Sequence, residues 1–435
     1  MAVSTRSVLL AAASAVALAA LSVGVAHATD GYLLEGVSPA DKATGGAGVA
    51  EGRDALTLGN NPAGLMDVGQ QFNLDLTLFS PSRGYDATTT SSPPSFGAVA
   101  PGSHDSSYDL FGMPAMAYSR PIDADSSWGV AMYGAGGMNT DYKFTFPCPG
   151  PFCGGKTGVN LEQAFLAVGY AHRFGSISVG VAPILAVQMF KAYGLSPFEI
   201  YSSSPNNFTD RGVDTSVGGG LRAGAEWHAT DTLRLGVSGT TPMWMSDFTK
   251  YSGLFAGGGS FNIPATIAAG LAYDVAPTIT LLADYKHIFY SGVASVANSS
   301  LAQTMFGASN GPGFGWHDVD VISLGVEWRT TKNLTLRAGY SYNTDPIQPA
   351  DVLLNVLVPG VITNHISAGA SYAVNKNYSI DFAAVYAPEN SVSGVGAGPY
   401  GTSNVNIHLS EFEATLGWTY KFDSMASAAP VTARY

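Results

Sequence analysis

Charged side chains are scarce in this sequence of 435 residues, where Asp, Glu, Lys and Arg together make up 12%. Ordinary globular proteins carry about 25%, so a soluble enzyme with a solvated surface fits this composition poorly. Lys and Arg number 20 against 32 Asp and Glu, and without a basic patch nucleic acid is not expected as a partner. The 52 glycines and 21 tyrosines favour many strands that face lipid on one side.

Cysteine is nearly absent, and the eight histidines are scattered along the chain. In an exported protein Cys148 and Cys153 predict a disulfide that closes a small loop. A metal site needs further ligands at suitable spacing, and none accompany this pair. We therefore expect no metal and no cofactor. The sequence also has no G-x-S-x-G motif and no arranged Ser, His and acid set, so it does not predict an enzyme.

Long apolar runs are confined to the N-terminus. Arg6 provides a positive start, residues 7–25 are apolar, and Ala26-His27-Ala28 matches a cleavage site. This predicts a signal peptide over residues 1–28; an uncleaved anchor is the alternative, which the polar residues that follow disfavour. No later run is long enough for a helix to cross a bilayer. If the chain spans a membrane, it does so as the strands of a closed barrel.

Between Gln71 and Phe422, apolar and polar residues alternate in segments of about ten, as in transmembrane strands. In the last segment Phe412 and Leu416 share one face, and Glu411 and Glu413 share the other. Fourteen such segments begin near residues 71, 113, 127, 161, 176, 213, 232, 262, 278, 318, 333, 363, 377 and 411. The predicted fold is all-β: a 14-stranded antiparallel transmembrane barrel over residues 71–422.

The links between these segments alternate between short and long. The long ones lie near residues 80–112, 138–160, 190–212, 243–261, 290–317, 344–362 and 387–410. Tight periplasmic turns and large extracellular loops produce this alternation in bacterial barrels. A soluble β-sandwich has no reason to keep it. The pattern therefore predicts a multi-pass barrel in the bacterial outer membrane, in contact with lipid and lipopolysaccharide, and we expect it to be monomeric.

Residues 29–70 precede the barrel and do not alternate. They are rich in small residues but contain Leu33, Leu34, Leu56, Leu58 and Leu65, more apolar content than a disordered tail usually carries. A barrel of this size has a lumen to fill. We therefore expect this segment to fold inside as a plug, with a disordered periplasmic tail as the alternative.

The plug-like segment and the barrel contain motifs of a known family. The motifs are Gly31-Tyr32-Leu33, Asn60-Asn61-Pro62-Ala63-Gly64-Leu65, Phe261-Asn262-Ile263-Pro264-Ala265, Leu336-Arg337-Ala338-Gly339-Tyr340 and Asn364-His365-Ile366-Ser367. In this order, across nearly the whole mature chain, they resemble the FadL-type family of outer-membrane transport proteins for long-chain fatty acids or aromatic hydrocarbons. One departure is that family barrels end at an aromatic equivalent to Phe422, whereas this chain continues as a tail over residues 423–435.

The resemblance implies passive uptake of a hydrophobic small molecule, most simply a long-chain fatty acid, by loop capture, luminal binding and lateral exit. Uptake of aromatic or other hydrocarbons is the first alternative. A structural or adhesin-type barrel without transport is the second. A hydrophilic diffusion porin is disfavoured because such pores lack a plug.

Candidate residues for capture come from the spacing of aromatic residues in one long link. Those for luminal binding come from parity, that is, from whether a strand position faces outward or into the barrel. Trp244, Phe248, Tyr251 and Phe255 are spaced as one apolar face of a short loop helix, or they merely pack the loop. Parity places Arg222, Lys286 and Arg337 inside the barrel, where each could bind a carboxylate. The alternative, which we favour for any single one, is a structural pair with Asp284, Asp381 or Glu226.

The candidate exit lies in the third strand. Glycines within a strand mark bulges or close backbone approach. Family resemblance implies a kink in this strand that forms a side opening near the Asn-Pro-Ala element. We therefore expect Gly134, Gly136 and Gly137 to form the gate, with Asn61, Pro62 and Ala63 facing them. Alternatively, these glycines begin an extracellular loop.

Overall fold

The computed structural model describes residues 30–89, 98–107, 109–143, 151–152, 155–398 and 401–423. The predicted signal peptide, the predicted disulfide between Cys148 and Cys153, and all of the predicted tail after Asp423 lie outside these residues. None of the helices in the described ranges is long and apolar enough to cross a membrane.

One antiparallel sheet of sixteen strands dominates the described part of the chain. The strands are β1 (Gln71–Thr89), β2 (Gly102–Asp105), β3 (Phe111–Pro121), β4 (Ser126–Tyr142), β5 (Thr157–Phe174), β6 (Ile177–Tyr193), β7 (Asp214–His228), β8 (Leu233–Thr240), β9 (Trp244–Met245), β10 (Thr266–Ala276), β11 (Ile279–Ile288), β12 (Val319–Arg329), β13 (Leu334–Asn343), β14 (Asn364–Ala373), β15 (Tyr378–Gly398) and β16 (Gly401–Lys421). All except the short β2 and β9 pair around a closed barrel of fourteen strands, which β1 and β16 complete. The predicted fold class is confirmed.

The faces of the strands follow parity as predicted. On β16 the side chains of Phe412 and Leu416 are 49% and 60% exposed on the outer surface, while Glu411 and Glu413 are buried inside. Successive residues of a strand point to opposite faces, so one row meets lipid and the other meets the lumen. At the periplasmic end, aromatic rings contact one another across neighbouring strands as an interfacial girdle; they include Phe72, Tyr118, Trp128, Tyr378, Trp418, Tyr420 and Phe422.

Three strands extend further than the alternation predicted. β1 continues to Thr89, β15 to Gly398, and β16 starts at Gly401 rather than near residue 411. β1 pairs with β16 along this whole length, from Gln71 opposite Lys421 to Thr89 opposite Ser403. β15 pairs with the other side of β16, with a bulge between Ala387 and Asn390. The predicted loops at 80–112 and 387–410 were therefore too long, because a paired hairpin above the lipid belt needs no apolar face.

Residues 30–70, which we call the plug segment, lie among the inward-facing side chains of the barrel. Its helix α1 (Pro39–Ala43) packs against β13–β16, its turn Ala55–Gly59 against β1 and β3–β5, and its turn Pro62–Gly64 against β5–β7. Near its N-terminal end, Tyr32 has no exposed surface. The segment thus contacts most of the wall.

Side-chain caps shape these short elements. Ser38 Oγ accepts a hydrogen bond from the Asp41 N–H before α1, and Asn61 Oδ1 accepts one from the Ala63 N–H. Such caps satisfy donors that a helix start leaves free. The other α-helices within the described ranges are single turns: α2 (Leu65–Val68), α3 (Ala256–Gly259), α4 (Ala294–Ala297) and α5 (Val352–Asn355).

Candidate substrate path and lateral opening

A bulge interrupts β4 at the predicted glycines. Against β5 the register shifts between Gly134, opposite Ala164, and Gly137, opposite Glu162, so β4 carries one extra residue. Gly136 has φ +97°, and a Cβ there would lie 2.0 Å from the carbonyl oxygen of Tyr32. The N–H of Gly137 donates to that same oxygen at 3.1 Å. The glycines lie within a strand rather than at the start of a loop, and the bulge receives the start of the plug segment.

The same bulge leaves a gap in the wall. Pairing between β3 and β4 begins only at Ala115 opposite Tyr133, so residues 111–114 pair with β1 alone and residues after 134 pair with β5 alone. Above the gap the wall closes again, because the N–H of Ser107 donates to the carbonyl of Asp141 at 2.8 Å. We call this gap the β3–β4 window. Leu34 of the plug segment packs against the apolar cluster on its rim that contains Met113.

The Asn-Pro-Ala element does not face the window, contrary to the prediction. A Cβ on Gly180 of β6 would lie 2.4 Å from the nitrogen of Ala63, and one on Gly224 of β7 would lie 2.1 Å from Oδ1 of Asn61. Asn61 Nδ2 donates to the carbonyl oxygens of Val49 and Ala225. The element, including Pro62, anchors the plug segment to β6 and β7. Sequence order could not reveal which strand it meets.

A cavity, the inner cavity, lies between the plug segment and the wall beside the window, with about 930 Å³ of empty space that includes its opening to solvent. Its apolar lining includes Leu33, Leu34, Ala135, Phe165, Met243 and Ile263. The acidic and basic residues that line it are Glu35, Asp41, Arg222, Asp284 and Lys286. Burial, reinforced by the charges of Asp30 and Glu413, raises the pKa of Glu35 to about 8, so Glu35 is mostly uncharged at neutral pH.

The three predicted cations have different surroundings. Lys286 forms a salt bridge with Asp30 of the plug segment, and Arg337 forms one with Glu327 at 2.7 Å. Neither pairs directly with Asp284, Asp381 or Glu226, the partners predicted from parity. Asp30 could not be predicted, since it comes from the plug segment.

Arg222 has no acidic partner within salt-bridge distance among the described residues. Its guanidinium donates to Thr240 Oγ1 at 2.9 Å, to the Leu58 carbonyl at 2.8 Å and to the Tyr133 hydroxyl at 3.1 Å. It therefore brings a positive charge that is not paired in a salt bridge to the inner cavity, close to Tyr133 at the lower edge of the window.

The predicted loop aromatics do not form one helical face. The chain makes a 3₁₀ turn at Thr249–Tyr251 and then the single turn α3. Phe248, Tyr251 and Phe255 are buried and converge on Phe190, with ring centroids 4.6–5.6 Å from it. Trp244 points away and is 63% exposed. Packing therefore accounts for Phe248 and Tyr251, whereas Phe255 also lines a cavity.

That cavity, the outer cavity, lies among the extracellular loops and has about 510 Å³ of empty space that includes its opening to solvent. Its lining residues are Phe152, Val159, Phe190, Leu195, Phe198, Phe208, Leu254, Phe255, Ser295, Phe306, Pro312, Gly313, Phe314, Leu354 and Leu357, and none of them is titratable. Sequence reasoning missed most of these residues. Their signal was the recurrence of phenylalanine in long polar links, but spacing within one link says nothing about convergence between links.

A row of rings connects the two cavities. Phe255 of the outer cavity lies 4.9 Å from Phe261, and Phe261 lies 6.0 Å from Tyr32 by ring centroids. Leu33, the next residue, lines the inner cavity. A row of packed aromatic rings thus lies between the outer cavity and the inner cavity.

Comparison with known proteins gives a consistent result. The sequence model of the outer membrane protein transport family (OMPP1/FadL/TodX) matches residues 28–422. Similar solved structures include the toluene transporter TodX of Pseudomonas putida, with a TM-score of 0.67 and 18% identity over 90% of this chain and 100% of that one. A FadL homologue of Pseudomonas aeruginosa has a TM-score of 0.67 and 16% identity, with coverage of 90% and 100%.

The toluene transporter TbuX of Ralstonia pickettii is also similar, with a TM-score of 0.60 and 17% identity over 90% of this chain and 99% of that one. At identities this low, the structural likeness establishes a common fold alone. No individually curated protein sequence matches this chain.

Proposed function

Because this chain belongs to the OMPP1/FadL/TodX family of outer-membrane proteins that transport hydrophobic compounds, we propose that its own cargo is a long-chain fatty acid. The observation that carries this choice is Arg222, a cation at the inner cavity that has no acidic partner within salt-bridge distance in the described residues. A carboxylate forms strong charge-assisted hydrogen bonds with a guanidinium. The uncharged Glu35 offers little repulsion to it.

In the proposed path the acyl chain first enters the outer cavity, whose lining has no titratable group. It then moves along Phe255, Phe261 and Tyr32 to the inner cavity, where the carboxylate meets Arg222. Each step transfers apolar surface between apolar environments, so no energy source beyond the concentration gradient is required.

Exit is proposed through the β3–β4 window into the bilayer. Leu33 and Leu34 of the plug segment lie between the inner cavity and the rim. For this part of the plug segment to move aside, the Tyr32 carbonyl would have to leave Gly137, and the ion pair between Asp30 and Lys286 would have to open.

Uptake of aromatic hydrocarbons is the second candidate. The outer cavity would suit an uncharged ring, and two of the similar structures bear the name toluene transporter. In that case Arg222 would have no contact with the cargo.

Uptake of labelled oleate and labelled toluene, in cells with and without the gene, tests the proposal. The gene should raise oleate uptake. A rise for toluene alone would favour the second candidate. Unchanged uptake of both compounds would contradict transport of either cargo.

A further inference from the structure

Three potential metal ligands meet at the periplasmic rim, away from both cavities. Asp67 belongs to α2 of the plug segment, and Glu226 and His228 end β7. One donor atom from each side chain lies within 4.8 Å of the others. The i and i+2 positions of Glu226 and His228 place both on the inner face of the strand. Only the fold adds Asp67.

Glu226 is the unusual member of this group. Glu226 is 1% exposed, and neither carboxylate oxygen accepts a hydrogen bond from a donor that the structure describes, while its carboxyl lies within hydrogen-bonding reach of the Asp67 carboxyl. Nε2 of His228 is likewise shielded and without a hydrogen-bond partner in the described residues. Buried polar groups in folded proteins are nearly always satisfied, and leaving one unpaired costs about 1–3 kcal/mol. A cation between these atoms would satisfy them together.

The distances from the imidazole nitrogen of His228 to the two carboxylates fit the coordination of a metal ion. Nε2 of His228 lies 3.3 Å from Oε1 of Glu226 and 3.6 Å from Oδ2 of Asp67. Ligands about 2.0–2.2 Å from a tetrahedral Zn²⁺ are about 3.3–3.6 Å apart along the edges of the tetrahedron. The chemistry also fits, since one imidazole and two carboxylates are common ligands of first-row divalent ions.

Neighbouring cations leave these donor atoms open. Arg173 pairs with Oδ1 of Asp67, not with Oδ2. Arg234 pairs with Glu51 and Asp274. Asp67 is exposed, so an ion can reach the cluster from the periplasm.

We propose that Asp67, Glu226 and His228 bind a divalent first-row transition-metal ion such as Zn²⁺. The bound ion cross-links α2 to the end of β7 and fixes the base of the plug segment. It acts at the end of that segment opposite to Tyr32, which contacts the β4 bulge. The site does not depend on the identity of the transported cargo.

Zinc titration of the full mature protein tests this site. The protein is purified in detergent without a tag, stripped with EDTA and titrated with Zn²⁺ by calorimetry. Visible d–d absorption of bound Co²⁺ reports the ligand environment. We expect one site per chain that involves these ligands. His228→Ala and Glu226→Gln should each weaken binding about tenfold or more, as ligand losses do.

His172→Ala is the matched control, because His172 lies at the same rim on β5 but outside the cluster. It should bind Zn²⁺ as the parent does. Electrophoretic mobility before and after heating shows whether each variant is folded, and Asp67→Asn provides a second test if Glu226→Gln does not fold.

Two results would overturn the proposal. One is Zn²⁺ affinity that is the same in the parent and all cluster variants. The other is an absence of Zn²⁺ binding. If acid at the same time stabilises the protein in a way that depends on His228, a protonated imidazole bridges the two carboxylates instead of a metal ion.

Discussion

At the scale of single residues, Arg222 distinguishes the two candidate cargoes. Arg222→Met should weaken oleate binding by about 10–100-fold, since hydrogen bonds to charged groups contribute about 1.5–3 kcal/mol. Toluene binding should stay the same, because an uncharged ring gains nothing from the guanidinium. Dissociation constants in detergent measure both.

Arg329→Met is the control for this substitution, because Arg329 lies at the periplasmic end of β12 and pairs with Asp274 and Glu327. Its oleate affinity should match that of the parent. Equal oleate affinity in Arg222→Met and the parent would remove the observation on which the fatty-acid proposal rests.

A second residue-scale prediction concerns the buried ion pair between Lys42 of α1 and Glu413 of β16, 2.6 Å apart. Lys42→Met leaves a buried carboxylate without its cation and should lower the free energy of unfolding by about 3–5 kcal/mol. The double variant Lys42→Met, Glu413→Gln should recover much of this loss. Urea denaturation in lipid vesicles measures both, and equal losses in the two variants would argue against a plug segment held by this pair.

At the scale of the element, the bulge in β4 depends on glycine. Gly136→Ala combines a positive φ with a Cβ that collides with the Tyr32 carbonyl. We expect a lower melting temperature and faster proteolysis near Tyr32. Gly155→Ala is the control, because Gly155 has φ +88° but nothing within 4 Å of a Cβ. Similar effects in both variants would mean that backbone strain, rather than contact with the plug segment, is responsible.

The window between β3 and β4 can be tested by filling it. Ala135 is buried beside the bulge and lines the inner cavity, so Ala135→Trp should lower uptake of the cargo about tenfold or more. Met132→Trp, on the lipid-facing side of the same strand, should leave uptake unchanged. Normal uptake by Ala135→Trp, with the folded barrel verified by electrophoretic mobility, would exclude exit by this route.

At the scale of the whole molecule, the outer surface is a belt of apolar side chains. Leu74, Leu76 and Leu78 on β1 are each more than 40% exposed, and the other strands repeat the pattern. Water cannot solvate such a surface without a large free-energy cost. The mature protein should therefore require detergent and give a β-type circular dichroism spectrum. A detergent-free monomer in plain buffer would contradict a membrane barrel.

Local patterns were sufficient to predict the architecture. Alternation placed a strand near each of the fourteen barrel strands, and the faces of Phe412 and Glu413 follow from parity because the backbone period is two. The glycines of β4 were expected at a bulge or a close backbone approach, because glycine weakens a regular strand, and a bulge lies there; their role as a gate stays a prediction. Where pairing continues beyond the lipid, as in β15 and β16, the apolar signal ends before the strand does.

Contacts between distant parts of the chain were beyond the reach of such patterns. Composition and periodicity established a closed lipid-facing barrel, because both are local consequences of backbone geometry and of burial in a bilayer. The pairing of Lys286 with Asp30, the lack of a salt-bridge partner for Arg222 in the described residues, the attachment of Asn61 to β7 and the meeting of Asp67 with His228 required the folded molecule. Each depends on how the plug segment sits in the lumen, and many packed side chains together set that position.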